Sequence, residues 1–527
     1  MRTESALRRG IAAGLLAPVL AGLIAVPAAA TPGGVLPRVT GPIAQNSRSH
    51  AFGAAAHQAV PENLAASGYT EAEYFLSGRA NVYTWPAGAP AAVRTPNAPY
   101  TTRLLVRKPA TGKRFSGKVV VEMLNPSNLF DLNIGWAMLR RQLIADGDAW
   151  VGITIKPVSV AALQNFDPVR YAPLSLANPL PVTDPANCAN PLTLIPGDSS
   201  RVTENGLAWD IYSQVGALLR GNRTDNPLRY GERHNPPVQR LYGFGYSQTG
   251  GYLYNYVNGI QPLVVRATGR PLYDGYLVAV AGGSFVGAAP MNQCDPAPPI
   301  GDPRRQFDHA GTPILHLMSQ SDYLLGIDSR RPDSDMPGDH YRGYEMAGAG
   351  HATPDELHAS AKPADIVKAG RQVPAPGCDQ GPRSPFPSQI FFDAALRNLD
   401  HWVTGKAIPP RAAPITVDNG TPATDRFGNV MGGLRSPYLD VPTATWSGTS
   451  TGPSFCAIAG HVTPLPAATL AQLYPTHDHY VRQVAASTAR LVTARYITPA
   501  DGTRLIREAI HAPVPDRGTA PRRQPQR

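Results

Sequence analysis

The amino-acid sequence predicts an α/β fold: a mostly parallel central sheet with helices on both faces, long loop insertions and a helical C-terminal extension. Three observations lead there. From residue 101 onward, short apolar runs alternate with segments of helical period, the pattern of parallel strands joined by crossover helices. One of those runs, "VVVEML" at 119–124, is apolar almost without a break, as a strand buried on both faces requires. The hydrophobic content of 43% is enough for one large core, although 55 prolines and 50 glycines make loops abundant.

The chain opens with Arg2, Arg8 and Arg9 before an apolar run that ends in Ala28-Ala29-Ala30. That is the build of an export signal occupying residues 1–30; Pro18 and Pro27 interrupt the run and argue against a membrane anchor. Candidate strands follow at 103–106, 118–123, 149–155, 240–246, 275–281, 313–318 and 341–346, with helical patterns at 134–145, 207–219, 248–257 and 387–403. Proline-rich stretches near 161–204 and 284–305 show neither period and read as long insertions. The expected organisation is one domain over 31–455, a helical extension over 456–512 built from segments 477–496 and 500–510, and a basic tail at 513–527.

Removing residues 1–30 deletes three arginines and Glu4, so the net charge falls from +10 to +8. No basic stripe is interleaved with aromatics, which argues against a nucleic-acid partner. The four cysteines, Cys188, Cys294, Cys378 and Cys456, form no Cys-x-x-Cys pair. Metal ligation by thiolates is disfavoured, two disulfides are expected in an exported chain, and three connectivities remain open.

The chemistry concentrates in "RLYGFGYSQTGGYLYNYV", residues 240–257. A strand pattern runs into Ser247 between small residues, and a helix pattern follows, the arrangement that exposes a nucleophilic serine on a sharp turn. Gly-x-Ser-x-Gly is short of one glycine, because Thr249 stands in the last position. A serine hydroxyl needs a base and an orienting acid. His351 follows a strand pattern through Gly348 and Gly350 and is the candidate base; Asp322, at the end of "TPILHLMSQSD", is the candidate acid, with Asp333 and Asp335 of "RRPDSD" as rivals in what reads as a solvated turn. The oxyanion hole would use the backbone N–H of Gln248 and that of Ser127 or Asn128 in "VVVEMLNPSN". Tyr246, Trp136, Phe130 and Phe285 lie at or just beyond strand ends and are candidates for an apolar acyl pocket.

The segments "VVVEMLNPS", "LIADGDAWVGIT", "GYSQTGGYL", "RRPDSD…YRGYEMAGAGH" and "ALRNLDHWVTGKAIPP" resemble the α/β-hydrolase superfamily, and within it exported bacterial α/β-hydrolase domain proteins. The resemblance covers residues 100 to 410 and implies the α/β-hydrolase fold. Within that group a serine followed by Gln and Thr or Ser is usual, whereas a glutamate often stands where this chain has Gln320. It also implies hydrolase chemistry without fixing a substrate. The expectation is a secreted serine hydrolase that takes a small-molecule carboxylic ester through an acyl-enzyme, with no cofactor, no metal and no membrane anchor. A peptidase or lactonase would use the same residues, and an exported binding protein without turnover is the alternative from another class.

Overall fold

Ten strands form one sheet among the residues that the computed structural model describes, 35–189, 200–231, 235–282, 287–325 and 330–514. They are β1 (Arg38–Thr40), β2 (Tyr69–Thr84), β3 (Ala92–Pro109), β4 (Lys118–Met123), β5 (Ala149–Ile153), β6 (Arg240–Tyr246), β7 (Gly275–Ala279), β8 (Ile314–Ser319), β9 (Ser334–Met336) and β10 (Asp339–Met346). Their order across the sheet is β1-β2-β3-β5-β4-β6-β7-β8-β10-β9. The run from β5 to β10 is parallel. The flanking strands pair antiparallel.

All seven expected strands overlap observed ones, although 149–155 and 275–281 each run two residues past the ends of β5 and β7, and 313–318 starts one residue before β8. The antiparallel edge of β1, β2 and most of β3 was not anticipated, and the reason is chemical. Strand β2 places Glu73 where an apolar residue would signal burial, and that carboxylate is fully buried against Arg103 (2.5 Å), Arg170 (2.6 Å) and the Tyr171 hydroxyl (2.8 Å). A paired buried charge replaces the hydrophobic alternation that reveals a strand.

The principal helices are α1 (Ile134–Asp146), α2 (Pro157–Phe166), α3 (Ala208–Arg220), α4 (Gln248–Asn255), α5 (Gln261–Thr268), α6 (Gln389–Val403), α7 (His477–Thr493) and α8 (Pro499–Ile510). Helix α2 covers the first residues of the expected insertion at 161–204, which is therefore shorter at its N-terminal end. Two neighbouring positions of β6 show that helices cover both faces. A Cβ on Gly243 would meet Tyr212 of α3, while Phe244, pointing the opposite way, approaches Gly135 of α1. Helix α6 packs beside α1. Disulfide Cys188–Cys294 joins the two long insertions, and Cys378–Cys456 ties segment 377–384 to the C-terminal part. Helices α7 and α8 pack on each other, with Tyr474, Tyr480, Val484 and Ala509 in a small core of their own. The expected boundary at 455/456 falls inside a ribbon formed by Ala444–Ser447 and His461–Pro464. Residues 1–30, Phe285 and the tail from 515 lie outside the described residues.

Several carboxyls are buried in this core. Burial pushes Glu122 up to about 8 despite the N–H groups of Gly135 and the Trp150 indole that it accepts. It pushes Asp148 and Glu356 up to about 7. Each holds its proton more tightly folded than unfolded, so its stabilising contribution is present at low pH and is lost as pH rises through the folded value. Buried His316, pushed down to about 4 by burial, has the opposite effect only below its ordinary value of 6.5. Melting is therefore expected at a higher temperature near pH 6.5 than near pH 8.5, by on the order of 3 kcal/mol of stability. Calorimetry at the two pH values checks this; equal melting or higher melting at the alkaline value would refute the assignment.

Candidate active site

Ser247 occupies the single position between the end of β6 and the start of α4, at φ +53° and ψ −119°. That left-handed conformation is unfavourable for a residue with a Cβ and persists only where neighbours enforce it. Here the Ser247 N–H donates to Ala279 O on β7 (2.9 Å), and its carbonyl accepts the Gly251 N–H (2.9 Å). The turn is so tight that a Cβ on Gly245 would lie 2.3 Å from Thr249 O, and one on Gly250 would lie 2.5 Å from the Ala281 methyl.

Thr249, the residue that breaks the glycine pattern, is fully buried and closes the turn. Its hydroxyl accepts the Tyr246 N–H (3.1 Å) and donates to Tyr246 O (3.2 Å). The close approach that the missing glycine would make is taken over by Gly250. Thr249→Val keeps the volume but leaves the Tyr246 N–H without this acceptor, and is expected to lower stability by about 1–3 kcal/mol in denaturant unfolding.

His351 lies five residues beyond β10 and Asp322 three beyond β8, at the start of a helical turn, Asp322–Leu325, rather than on the strand itself. The three side chains form a chain of hydrogen bonds. Asp322 Oδ1 is 2.7 Å from His351 Nδ1, and His351 Nε2 is 2.8 Å from Ser247 Oγ. A carboxylate only accepts, so Nδ1 carries the proton and Nε2 presents its lone pair to the serine hydroxyl. The other carboxylate oxygen, Oδ2, accepts the Ser319 N–H (2.6 Å) and hydroxyl (2.9 Å). The His351 N–H reaches both Ile458 O (2.8 Å) and Ser321 Oγ (3.0 Å). Asp322 and His351 are buried and Ser247 is half-buried.

The rival acids are elsewhere. Asp333 and Asp335 belong to the β9–β10 hairpin rather than to a solvated turn, and they flank the fully buried guanidinium of Arg342, at 3.6 and 2.6 Å. His316, inside β8, is held neutral away from Ser247: Nε2 donates to Ala281 O (2.6 Å) and Nδ1 accepts the Tyr341 hydroxyl (2.8 Å).

The loop after β4 does meet the turn. Asn125 donates its side-chain amide to Tyr246 O (2.7 Å), and the Ser127 hydroxyl donates to the Gln248 side-chain oxygen (3.3 Å). The Ser127 N–H is engaged by Asn125 Oδ1 (2.8 Å). Asn128, beside it, is half-buried. Tyr246, Trp136 and Phe130 are core residues rather than pocket walls. The Tyr246 hydroxyl donates to His351 O (2.6 Å), the Trp136 indole to Glu62 (2.8 Å), and Phe130 packs edge-on against Phe52. Tyr246 ends β6, and Phe130 and Trp136 come after β4; apolar surroundings bury such rings more often than they expose them.

Two neighbours of His351 escaped the sequence reading. Glu356, on the short helix that follows, is buried close enough for its charge and that of His351 to interact. Ile458, more than a hundred residues downstream, supplies the carbonyl that fixes the histidine backbone. Only the acidic pair Asp355-Glu356 in "HATPDE" was a signal, and it pointed to Glu356 alone.

No curated protein is similar enough to match the chain. Among solved structures it is similar to a carboxylesterase from Lactobacillus plantarum (8% identity, covering 55% of this chain and 92% of that one, TM-score 0.27). It is likewise similar to a glucuronoyl esterase from Solibacter usitatus (11%, 53% and 77%, TM-score 0.24) and to the esterase domain of a Rhodothermus marinus protein (10%, 56% and 95%, TM-score 0.22). The alpha/beta hydrolase domain family matches residues 39–507, most of the chain and all of the sheet but the first residue of β1. With the parallel sheet and its flanking helices, that match shows that the chain belongs to the alpha/beta hydrolase domain family.

Proposed function

We propose that this protein is an exported serine hydrolase of carboxylic esters, with Ser247 as nucleophile, His351 as general base and acid, and Asp322 as the orienting carboxylate. The observation that carries the reading is the unbroken hydrogen-bonded chain from Ser247 Oγ through His351 to Asp322, on a serine held at positive φ. The Ser247 oxygen attacks the ester carbonyl carbon while its proton passes to His351 Nε2. Collapse of the tetrahedral adduct breaks the carbon–oxygen bond to the alcohol, which takes that proton and leaves the acyl group on Ser247. Water repeats the sequence and releases the acid.

The Gln248 N–H, at the start of α4, is the first oxyanion donor. Because the Ser127 N–H already serves Asn125, Asn128 is the better second donor. Export is supported by the signal pattern of residues 1–30 and by two disulfides, which persist in oxidising compartments. A fluorophosphonate probe together with p-nitrophenyl esters from acetate to palmitate tests the proposal. Covalent labelling at Ser247 with turnover of at least one ester is expected. Folded protein that neither labels nor turns over would support a binding role instead.

A further inference from the structure

Away from the triad, two histidines near the start of the folded chain meet an aspartate that follows it by three hundred residues. The rings of His50 and His57 stack at 3.6 Å, and His50 Nε2 lies 2.9 Å from Asp365 Oδ2. The ligating atoms of His50, His57 and Asp365 all lie within 4.8 Å of one another. Asp365 is buried and both histidines are half-buried. A cation already sits beside two members of this group: the Lys362 ammonium is 3.1 Å from His57 Nδ1 and 3.8 Å from Asp365 Oδ1. An ammonium can only donate, so Nδ1 of His57 is a lone pair directed at positive charge.

From this arrangement we propose that His50 Nε2, His57 Nδ1 and Asp365 Oδ2 form a binding site for a divalent transition ion, zinc foremost, in which the metal takes the place of the Lys362 ammonium. Two imidazoles and one carboxylate suit zinc, with water as fourth ligand; magnesium and calcium prefer all-oxygen sets. Tetrahedral coordination with metal–ligand distances of about 2.0–2.1 Å needs ligand atoms about 3.3 Å apart. The His50–Asp365 pair, at 2.9 Å, opens slightly and the widest pair closes, and because an imidazole binds an ion only in its own ring plane the two stacked rings turn out of their parallel arrangement to share it. His50 moves its proton from Nε2 to Nδ1, and Lys362, 38% exposed, swings into solvent with its proton. The ion then pins segment 50–57 to segment 362–368, which already share the Lys362 N–H to His57 O hydrogen bond.

Equilibrium dialysis of the mature protein against Zn2+ and Mg2+, independent of any catalytic assay, tests the site. One Zn2+ per chain is expected, with little Mg2+ bound. His50→Ala and His57→Ala are each expected to weaken Zn2+ binding at least about tenfold. Lys362→Met removes the competing cation and is expected to tighten it. At a hundredfold excess over Kd, Zn2+ should raise the melting temperature by roughly 3 °C in the parent chain and not in the His50→Ala/His57→Ala double variant. Should the double variant not fold, Lys362→Met decides the matter. Zn2+ held equally well by a folded double variant, weaker binding in Lys362→Met, or no bound Zn2+ at all would overturn the proposal.

Discussion

Replacing Ser247 by alanine is expected to lower kcat/KM for any ester substrate by on the order of a thousandfold or more, with melting almost unchanged. The serine oxygen is the atom that would bond to the acyl carbon, and no water can stand in its place with the same orientation. The residual rate then comes from the oxyanion donors and substrate positioning. Stability should hold because the hydroxyl's one named partner is His351 Nε2, and alanine meets the same positive φ as serine. Purified variant and parent, compared in initial rates and in thermal unfolding, give both readouts. A variant that kept most of its activity would place the nucleophile elsewhere.

Asp322→Asn is expected to lower kcat by roughly a thousandfold or more, with KM little changed, and the surroundings of the carboxyl say why. Its Oδ2 accepts the Ser319 N–H and hydroxyl, so an asparagine keeps its oxygen there and turns its NH2 toward His351 Nδ1. That amide donates to Nδ1, the imidazole adopts the tautomer with its proton on Nε2, and it can no longer accept from Ser247. Asp335→Asn should behave in the opposite way. It weakens the pairing of the fully buried Arg342 guanidinium, so stability should fall by about 1–3 kcal/mol while activity per folded molecule stays near that of the parent. Rates normalised to folded protein, together with urea unfolding, separate the two. A large catalytic loss in Asp335→Asn beside a near-normal Asp322→Asn would move the acid to the hairpin.

Much of this was readable from the residues, because the parallel strands carry their burial as apolar runs and the serine, acid and histidine follow such runs in order. What the sequence concealed was polar. The β2–β3 edge is held by Glu73 and Arg103, whose charges cancel only once the chain is folded. Asp335 looked solvated because its partner, Arg342, is reached through hairpin pairing rather than through sequence proximity. Aromatic residues near strand ends misled in the other direction: Trp136 and Phe130 fill the core, and nothing in a single sequence tells a ring beside a site from a ring beneath it. The loop after β4 does reach the Ser247 turn, yet the engagement of the Ser127 N–H by Asn125 depends on a side-chain rotamer that sequence does not specify.

The carbonyl of Ile458 has a consequence for how the protein matures. Ser247 and Asp322 are fixed by turns at the ends of β6 and β8, but the N–H groups of both His351 and Ala352 donate to Ile458 O, and a Cβ on Gly350 would lie 2.4 Å from Ala459 O. The clamp is itself tethered two residues away by Cys378–Cys456. A chain emerging from its N-terminus can therefore assemble the sheet, Ser247 and Asp322 before the segment that seats His351 exists, and that seat is secured only after oxidation. If Ser247, Asp322 and His351 act as proposed, the chain is expected to be inactive while nascent and reduced. Cys378→Ser should accordingly lower kcat in a protein that still folds, measured against Cys188→Ser, whose disulfide joins two surface insertions and leaves the base in place.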